Sequence, residues 1–193
     1  KIFGGIDGRR FESSGRIVKL NKENSNLLFI VGTGRSGTKT ISNILDKHKD
    51  IYLKHELSEQ LLRISTDYEY NRINREKTKI ILQEIYCNNT VFPAAKVIGE
   101  SNQKFGNLIS IIIEIFPNAK FVWLKRDGRK TVSSTFSKGW YKESNVNSDV
   151  FNPHIDKWED SRLKGDRTND FSEEEWANLT SFQKNCWYYA YWS

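Results

Sequence analysis

A short loop between Gly32 and Thr38, with the sequence GTGRSGT, concentrates groups that could bind an anion. Besides three glycines it carries Arg35, Ser36 and Thr38, and Lys39 follows directly, so four side chains can donate hydrogen bonds to phosphate oxygens. An apolar run precedes the loop and a helical pattern follows it. Backbone N–H groups and the positive end of a helix dipole would therefore converge on one point. The sequence predicts a phosphate-binding turn at the start of a helix.

The loop departs from the triphosphate-binding pattern G-x-x-x-x-G-K-[ST]. Gly32 and Gly37 have the required separation, but Thr38 follows them and Lys39 comes one residue late. The lysine that would reach the β- and γ-phosphates is thus out of register, which disfavours ATP. The remaining alternative is a plain glycine turn, which leaves the four donors without a purpose.

A second pair of candidate anion ligands lies further along the chain. Arg126 directly follows a predicted strand, and Ser134 comes eight residues later, two turns into the next predicted helix. The alternative for this pair is a solvated arginine beside a helix that Asp127 or Thr131 caps.

Apolar runs that alternate with helical patterns define the elements that must position these groups. The run 27–31 is continuously apolar, as is typical of a strand buried on both faces of a parallel sheet. Further strands are predicted at 51–53, 94–100 and 119–125, and helices from Leu57 and over 107–116 and 126–138. This alternation predicts an α/β fold with right-handed crossovers. Ligands of such sheets bind beyond the carboxyl ends of the strands, which 32–38, 100–102 and 126–134 are expected to reach.

Three other stretches are predicted from their patterning. Residues 1–20 have short apolar runs at 1–3 and 16–20 and are expected to form a pair of strands or an irregular arm. Residues 68–87 are charged and predicted to form one solvent-facing helix. Its apolar stripe would consist of Ile80, Ile81, Leu82 and Ile85.

The chain changes character after residue 138. Polar helices are predicted from there on, with Ser172 and Glu175 as a capping box for the last of them. Tryptophans are spread through this part, where they could pack a core or line an acceptor pocket: Trp140, Trp158, Trp176, Trp187 and Trp192. We expect a single domain over 1–193, with a core at 27–138 and a helical C-terminal part at 139–193 that is truncated.

The amino-acid composition limits the classes of partner and of protein that the chain can belong to. The 193 residues include 30 Lys and Arg against 24 Asp and Glu, a net charge of +6 that favours an anionic partner. No apolar stretch is long enough for a membrane span, and Cys87 and Cys186 have no metal-site spacing, so both are expected to be buried thiols. A cytoplasmic protein is expected. The sequence begins without methionine and ends within a helical pattern, so it is expected to be part of a longer chain.

Taken together, the motifs resemble the sulfotransferases that use 3′-phosphoadenosine-5′-phosphosulfate, the nucleotide donor PAPS. The nearest likeness is to tyrosylprotein sulfotransferases and related bacterial enzymes, which share RSGT (35–38), FPNAKF (116–121) and RDGR (126–129). The resemblance covers about 27–138. It implies a P-loop-like three-layer α/β fold with a central parallel sheet, a sulfuryl-transfer reaction and no metal.

The resemblance also implies roles for individual residues. The 5′-phosphosulfate would be bound by the loop and the first helical turn, namely Gly34, Arg35, Ser36, Gly37, Thr38, Lys39 and Thr40. The 3′-phosphate would be bound by Arg126 and Ser134, with Lys138 near it. The family's catalytic glutamate, 21 residues beyond the loop arginine, falls on Glu56.

Several questions stay open at this point. His55 and Glu100 are alternative general bases to Glu56. The family's lysine after the second strand aligns with Ser101 here, so Lys39 or Lys104 would have to assist the leaving group instead. The family's arginine two residues past the glutamate is Ser58, and its cysteine pairs are absent.

The resemblance leaves the acceptor open. A hydroxyl or amine on a small molecule, glycan or peptide is expected, with no nucleic-acid partner. Two other classes of protein compete: a nucleotide-dependent kinase with Asp127 as a metal ligand, and a non-catalytic nucleic-acid-binding module that uses the basic charge and the aromatic residues.

Overall fold

The computed structural model describes residues 17–20, 26–90, 92–142 and 161–193. The expectations for the run 1–3 and for Trp158 lie outside these residues. The strands are β1 (Ile17–Val18), β2 (Leu27–Gly32), β3 (Ile51–His55), β4 (Phe92–Pro93), β5 (Val97–Ser101) and β6 (Lys120–Leu124). The α-helices are α1 (Thr38–Leu45), α2 (Glu59–Glu69), α3 (Arg75–Gln83), α4 (Ile109–Ile115), α5 (Gly128–Ser137), α6 (Glu173–Asn178) and α7 (Ser181–Tyr191).

Four parallel strands form the central sheet in the order β3-β5-β2-β6. Strand β2 lies inside the sheet, and Phe29, Ile30 and Val31 in it are each only 1% exposed. The ring of Phe29 packs edge-on against Phe105 on one side of the sheet. Helix α1 packs against β2, β3 and β5. The predicted α/β fold with a central parallel sheet flanked by helices is confirmed, and so are the strands at 27–31, 94–100 and 119–125.

The carboxyl ends of all four parallel strands meet at one edge of this sheet. The loop after β2 leads into α1, and the turn after β6 leads into α5. The ends of β3 and β5 lie side by side, with His55 in register with Ser101. Arg35, Glu56, Glu100 and Arg126 are therefore each carried by a strand end or by the turn that follows it.

The single helix predicted over 68–87 is wrong. Helix α2 ends at Glu69, and α3 begins at Arg75 because the side chain of Asn74 accepts a hydrogen bond from the Lys77 amide and caps it. The chain then continues as a π-helical turn over Glu84–Asn89. Ile80 is 55% exposed, so the buried part of the predicted stripe is narrower than expected.

The helix predicted over 107–116 starts differently. Residues Gln103–Leu108 form a 3-10 helix, and α-helical geometry begins only at Ile109. The short strand β1 pairs with β4 in a separate two-stranded sheet, which fits the predicted strand near residue 17.

The C-terminal part packs as a small aromatic core of its own. Trp140, Leu163, Tyr188 and Trp192 are buried together. The capping box of Ser172 and Glu175 is confirmed at α6, but α6 is not the last helix as expected, because α7 follows with a second capping box formed by Thr180 and Gln183. Cys87 and Cys186 form no disulfide. Cys87 is half-buried and Cys186 is exposed, so the expectation that both thiols are buried is wrong.

Candidate active site

The glycine loop turns sharply at two residues with left-handed backbone. Arg35 has φ 67° and Gly37 has φ 107°, and the amide of Ser36 donates to the carbonyl of Thr33 over 3.1 Å. A non-glycine residue in this conformation costs on the order of 1–3 kcal/mol, and such strain concentrates at ligand sites. Gly37 precedes α1 without capping it through a side chain, which leaves the first turn of the helix open to an external anion.

Two hydroxyl groups in the loop are available to a ligand. Thr33 Oγ1 and Ser36 Oγ are buried and have no hydrogen-bond partner among the described residues. A buried hydroxyl without a partner is costly, so a ligand that accepts or donates hydrogen bonds there would stabilise the loop. A Cβ atom on Gly34 would lie 2.3 Å from Gln103 Oε1 and 2.5 Å from Trp140 Cη2, so only glycine fits. The loop residues thus fit an anionic group such as a phosphosulfate.

The second anion pair lies beside the loop and is bonded to it. Arg35 Nε donates to Ser134 Oγ over 3.1 Å, and Arg126 Nη1 donates to the carbonyl of Arg35 over 2.7 Å. Arg126 and Ser134 line an open depression of about 540 Å³ together with Asp127, Arg129, Lys130, Ser133 and Ser137. Two positively charged regions therefore adjoin at one edge of the sheet.

The C-terminal helix supports this second region. Tyr189 in α7 donates its hydroxyl to the carbonyl of Arg126 over 3.0 Å. A Cβ on Gly128 would lie 2.6 Å from the ring of Tyr189. The turn that presents Arg126 is thereby held between β6, α5 and α7.

The remaining predicted donor-binding residues differ in placement. Thr38 is buried in the first turn of α1, whereas Lys39 and Thr40 are exposed there. Lys138 is exposed at the C-terminal end of α5 and is not among the residues that line the depression.

Glu56 lies directly after β3 in a left-handed turn. Its φ is 52°, its side chain is 18% exposed, and its amide donates to the carbonyl of Ser101 over 3.0 Å. Burial raises the pKa of Glu56 to about 7, against the opposing effect of the charges on Lys39 and Lys104. The carboxyl group can therefore exchange a proton near neutral pH.

His55 adjoins Glu56 but one of its ring nitrogens is already engaged. Nδ1 lies 2.9 Å from Ser101 Oγ and 3.1 Å from the carbonyl of Ser101. Nε2 lies 3.5 Å from a carboxylate oxygen of Glu56. Burial lowers the pKa of His55, so a neutral imidazole is favoured.

Glu100, the third candidate base, faces the protein interior. It is 1% exposed, and its oxygens accept hydrogen bonds from the Leu57 amide at 3.0 Å, Asn102 Nδ2 at 3.2 Å and the Tyr86 hydroxyl at 2.6 Å. Burial raises its pKa to about 7, although these three hydrogen bonds oppose the shift. An acceptor hydroxyl could not reach Glu100 without displacing them.

Lys104 and Lys39, the two possible replacements for the family's lysine, differ in burial and in their partners. The Nζ atom of Lys104 donates to Thr66 Oγ1 over 3.1 Å and also to the carbonyl of Ser161. Lys104 is fully buried, and burial lowers its pKa to about 7. Lys39 is exposed, and its charge acts on both His55 and Glu56. Of the two lysines, Lys39 is the one positioned to meet a bound anion.

The residues that mark the departures from the family have local roles. Ser101 contacts His55, and Ser58 caps α2 by accepting a hydrogen bond from the Gln60 amide. Asp127, the metal ligand of the kinase alternative, caps α5 and pairs with Arg129, whose hydrogen bond lowers the pKa of Asp127 to about 2.

Within 17–20, 26–90, 92–142 and 161–193, no group of three or more His, Cys, Asp or Glu side chains is arranged to hold a metal ion. In the same ranges, no helix combines the length and the apolar character needed to cross a membrane.

Sequence reasoning missed several residues of the site. Thr33 carries a hydroxyl inside the glycine loop, a signal that was available from its position. Tyr189 contacts the Arg126 turn from the C-terminal part, and Tyr86 contacts Glu100. No local motif marks these two residues, because their partners lie 63 and 14 residues away in sequence. Trp140, which the sequence offered as a core or acceptor-pocket residue, packs against Gly34 of the glycine loop instead.

Comparison with known proteins gives consistent results. The family profile described as "Sulfotransferase family" matches residues 28–179. The protein-tyrosine sulfotransferase of Drosophila melanogaster is 30% identical over 141 residues, which covers 64% of this chain and 27% of the relative. Protein-tyrosine sulfotransferase 1 of Rattus norvegicus is 29% identical over 146 residues, covering 65% and 39%. The human protein-tyrosine sulfotransferase 1 is 28% identical over 128 residues, covering 58% and 34%. The chain thus matches well under half the length of each relative.

Proposed function

The chain belongs to the sulfotransferase family, and from that premise we propose that it transfers a sulfuryl group from PAPS to a hydroxyl or amine acceptor. One observation carries the proposal. The anion loop at Arg35 and the Arg126–Ser134 pair are joined by two hydrogen bonds, so two anion sites adjoin at one sheet edge. A donor that carries phosphate groups at both its 5′ and 3′ positions needs such a pair of sites.

Donor binding is assigned to the loop and to the start of α5. The hydroxyls of Thr33 and Ser36, the first turn of α1 and the guanidinium of Arg35 would bind the 5′-phosphosulfate. Arg126 and Ser134 would bind the 3′-phosphate in the depression of about 540 Å³. Charge-assisted hydrogen bonds of this kind fix both the position and the orientation of the nucleotide.

Glu56 is the proposed general base. In the transfer, the bond between sulfur and the 5′-phosphate oxygen breaks, a bond between sulfur and the acceptor oxygen forms, and the hydroxyl proton passes to Glu56. A pKa of about 7, which burial produces, suits a group that must accept this proton near neutral pH. His55 is the alternative base through Nε2, since its Nδ1 is engaged by Ser101.

Arg35 and Lys39 are the residues proposed to stabilise the leaving group. Negative charge grows on the bridging phosphate oxygen as the sulfuryl group departs, so fixed cations and N–H donors there lower the barrier. Lys39 would supply the charge that the aligned position, Ser101, lacks.

The acceptor class is a further proposal. The matched relatives are named protein-tyrosine sulfotransferases, which makes a tyrosine phenol the first acceptor to test. Ser58 and Ser101 stand where the family resemblance described above implies cationic residues, so small-molecule and glycan hydroxyls belong in the same test.

Calorimetry on the protein tests the donor site first. We expect adenosine 3′,5′-bisphosphate to bind without a metal ion and more tightly than adenosine 5′-monophosphate. ATP with magnesium tests the kinase alternative, and a single-stranded oligonucleotide tests the nucleic-acid alternative. Tighter binding of ATP with magnesium, or of the oligonucleotide, would overturn the proposal. PAPS with tyrosine peptides, phenols and glycans then tests transfer.

A further inference from the structure

A fully buried carboxylate lies next to the proposed base and has no role in the mechanism above. Glu100 is 1% exposed at the end of β5. Its hydrogen-bond partners among the described residues are an amide, a side-chain amide and a phenol, none of which carries a positive charge. Burying a carboxylate without a cation is expensive, so its retention calls for a specific use.

The partners of Glu100 lead directly to the turn that carries Glu56. One carboxylate oxygen accepts from the amide of Leu57, the residue that follows Glu56. The other oxygen accepts from the hydroxyl of Tyr86, which is itself buried in the π-helical turn Glu84–Asn89. The Tyr86 hydroxyl thus holds one oxygen of the Glu100 carboxylate, and the other oxygen holds the Leu57 amide.

The turn itself requires this support. Glu56 has φ 52°, a conformation that disfavours a residue with a Cβ by roughly 1–3 kcal/mol. The flanking groups are all bonded to the end of β5. The Glu56 amide donates to the carbonyl of Ser101, His55 Nδ1 contacts Ser101, and the Leu57 amide donates to Glu100. Of these, the Glu100 contact holds the far side of the strained residue.

We propose that Glu100, held by Tyr86, is a positioning residue that fixes the 55–57 turn and so aims the carboxylate of Glu56 at the acceptor. The inference rests on the proposed function for its catalytic meaning. It removes Glu100 from the candidate bases and gives the buried carboxylate a structural task next to the reacting atoms. The task requires an acceptor oxygen at Glu100, and it predicts different results for substitutions that keep or remove that oxygen.

The titration of Glu56 provides a second measurement of its proximity to Glu100. Glu56 is faced by Lys39 from α1, Lys104 from the 3-10 helix, His55 from β3, Glu100 from β5 and Tyr188 from α7. Glu100 is the like charge in this set, and the charge of Glu56 raises the pKa of Glu100. Repulsion between two like charges acts on both groups. Replacing Glu100 by glutamine should therefore move the titration of Glu56 to lower pH.

The test compares Glu100→Ala with Glu100→Gln. Hydrogen exchange of the Leu57 amide, measured by NMR on the free protein, should speed up at least tenfold in Glu100→Ala and stay within threefold of wild type in Glu100→Gln, which keeps an acceptor oxygen. The titration of the Glu56 carboxyl carbon should move to lower pH in Glu100→Gln. Glu114→Gln, at an exposed carboxylate paired with Arg75 and Lys79, is the control that should change neither.

Further variants and measurements distinguish a loss of stability from a loss of function. If Glu100→Ala does not fold, Glu100→Asp replaces it, because a side chain shorter by one methylene cannot reach both Tyr86 and Leu57. Unchanged Leu57 exchange in a folded Ala or Asp variant would overturn the proposal. With any acceptor that supports transfer, kcat should fall at least tenfold in Glu100→Ala and recover in Glu100→Gln, with the affinity for the bisphosphate unchanged. If wild type transfers nothing, the proposed function fails while the NMR results still decide the positioning contact.

Discussion

The candidate site has two halves: the donor side, formed by the glycine loop and the Arg126–Ser134 pair, and the base side, formed by the 55–57 turn and Glu100. They differ in how many of their hydrogen-bonding groups already have partners. On the donor side, the hydroxyls of Thr33 and Ser36 have no hydrogen-bond partner in the part of the chain that the structure describes, and Arg126 lies exposed at an open depression. On the base side, Glu56 is mostly buried, and Glu100 behind it has every oxygen engaged. One half has spare hydrogen-bonding capacity, and the other half has almost none.

This difference follows from what each half must do. A site that receives a highly charged nucleotide gains affinity from donors that are preorganised and unsatisfied until the ligand arrives. A general base must instead be held at one position with a pKa near the working pH, which requires burial and a rigid surrounding shell. The comparison therefore predicts that substitutions on the donor side change affinity, whereas those on the base side change turnover or stability.

The largest effect is expected from Glu56→Gln. Glutamine keeps the size of the side chain but cannot accept the acceptor proton, and loss of a positioned base typically lowers the rate by about 10²–10⁴. Steady-state transfer should show that loss in kcat, while calorimetry shows unchanged affinity for adenosine 3′,5′-bisphosphate. His55→Ala is the matched comparison. If His55→Ala abolishes transfer and Glu56→Gln does not, the base is the histidine.

The second effect concerns the pH dependence of stability. The pKa of Glu100 is raised from 4.5 to about 7 in the folded protein, so between these values the folded state binds more protons than the unfolded state. The free energy of unfolding should therefore fall as pH rises through that window, by up to about 3 kcal/mol for this one group.

Denaturant unfolding of wild type and Glu100→Gln across pH 4.5 to 7 measures this contribution. The stability of the variant relative to wild type should rise with pH. Glu114→Gln is the control, because the hydrogen bonds of Arg75 and Lys79 lower the pKa of Glu114 below 4.5. The contribution of Glu114 is therefore constant across pH 4.5 to 7, and the Glu114→Gln curve should run parallel to that of wild type. Parallel curves for wild type and Glu100→Gln would show that the burial of Glu100 is not linked to folding.

The same contrast explains what the sequence could predict. The donor side was accessible because its groups lie in contiguous motifs, RSGT after β2 and RDGR after β6. The strands were accessible because parallel strands buried on both faces are continuously apolar. The expectation that the loops after the strands meet at one edge of the sheet followed from a general rule of α/β folds.

The contacts of the base side could not be predicted from the sequence. The sequence placed a carboxylate at position 100 but could not show that Tyr86 and Leu57 donate hydrogen bonds to it, since Leu57 lies 43 residues away. It also could not distinguish Lys104, which is buried against Thr66 and Ser161, from Lys39, which is exposed near Glu56. The helix predicted over 68–87 failed for a local reason, since Asn74 can cap a new helix and the sequence pattern of charged residues continues across it.

On the donor side, Arg126→Ala should remove most of the preference for the bisphosphate over adenosine 5′-monophosphate. A charge-assisted contact contributes about 1.5–3 kcal/mol, which corresponds to roughly 10- to 150-fold in affinity. Arg129→Ala is the control, because Arg129 lines the same depression but is almost fully exposed and paired with Asp127. Calorimetry that shows equal losses for both nucleotides in Arg126→Ala would place the 3′-phosphate elsewhere.

The smallest expected effect comes from Lys39, the residue that joins the two halves. It belongs to the first turn of α1 on the donor side, yet its charge lowers the pKa of Glu56 on the base side. In Lys39→Gln the pKa of Glu56 should rise, so the rise of kcat with pH near pH 7 should move to higher pH, by a fraction of a pH unit for an exposed charge. At a pH well above this rise, any remaining loss of kcat with donor affinity unchanged measures the leaving-group role of Lys39. A pH profile that does not move in Lys39→Gln would mean that the two halves act independently.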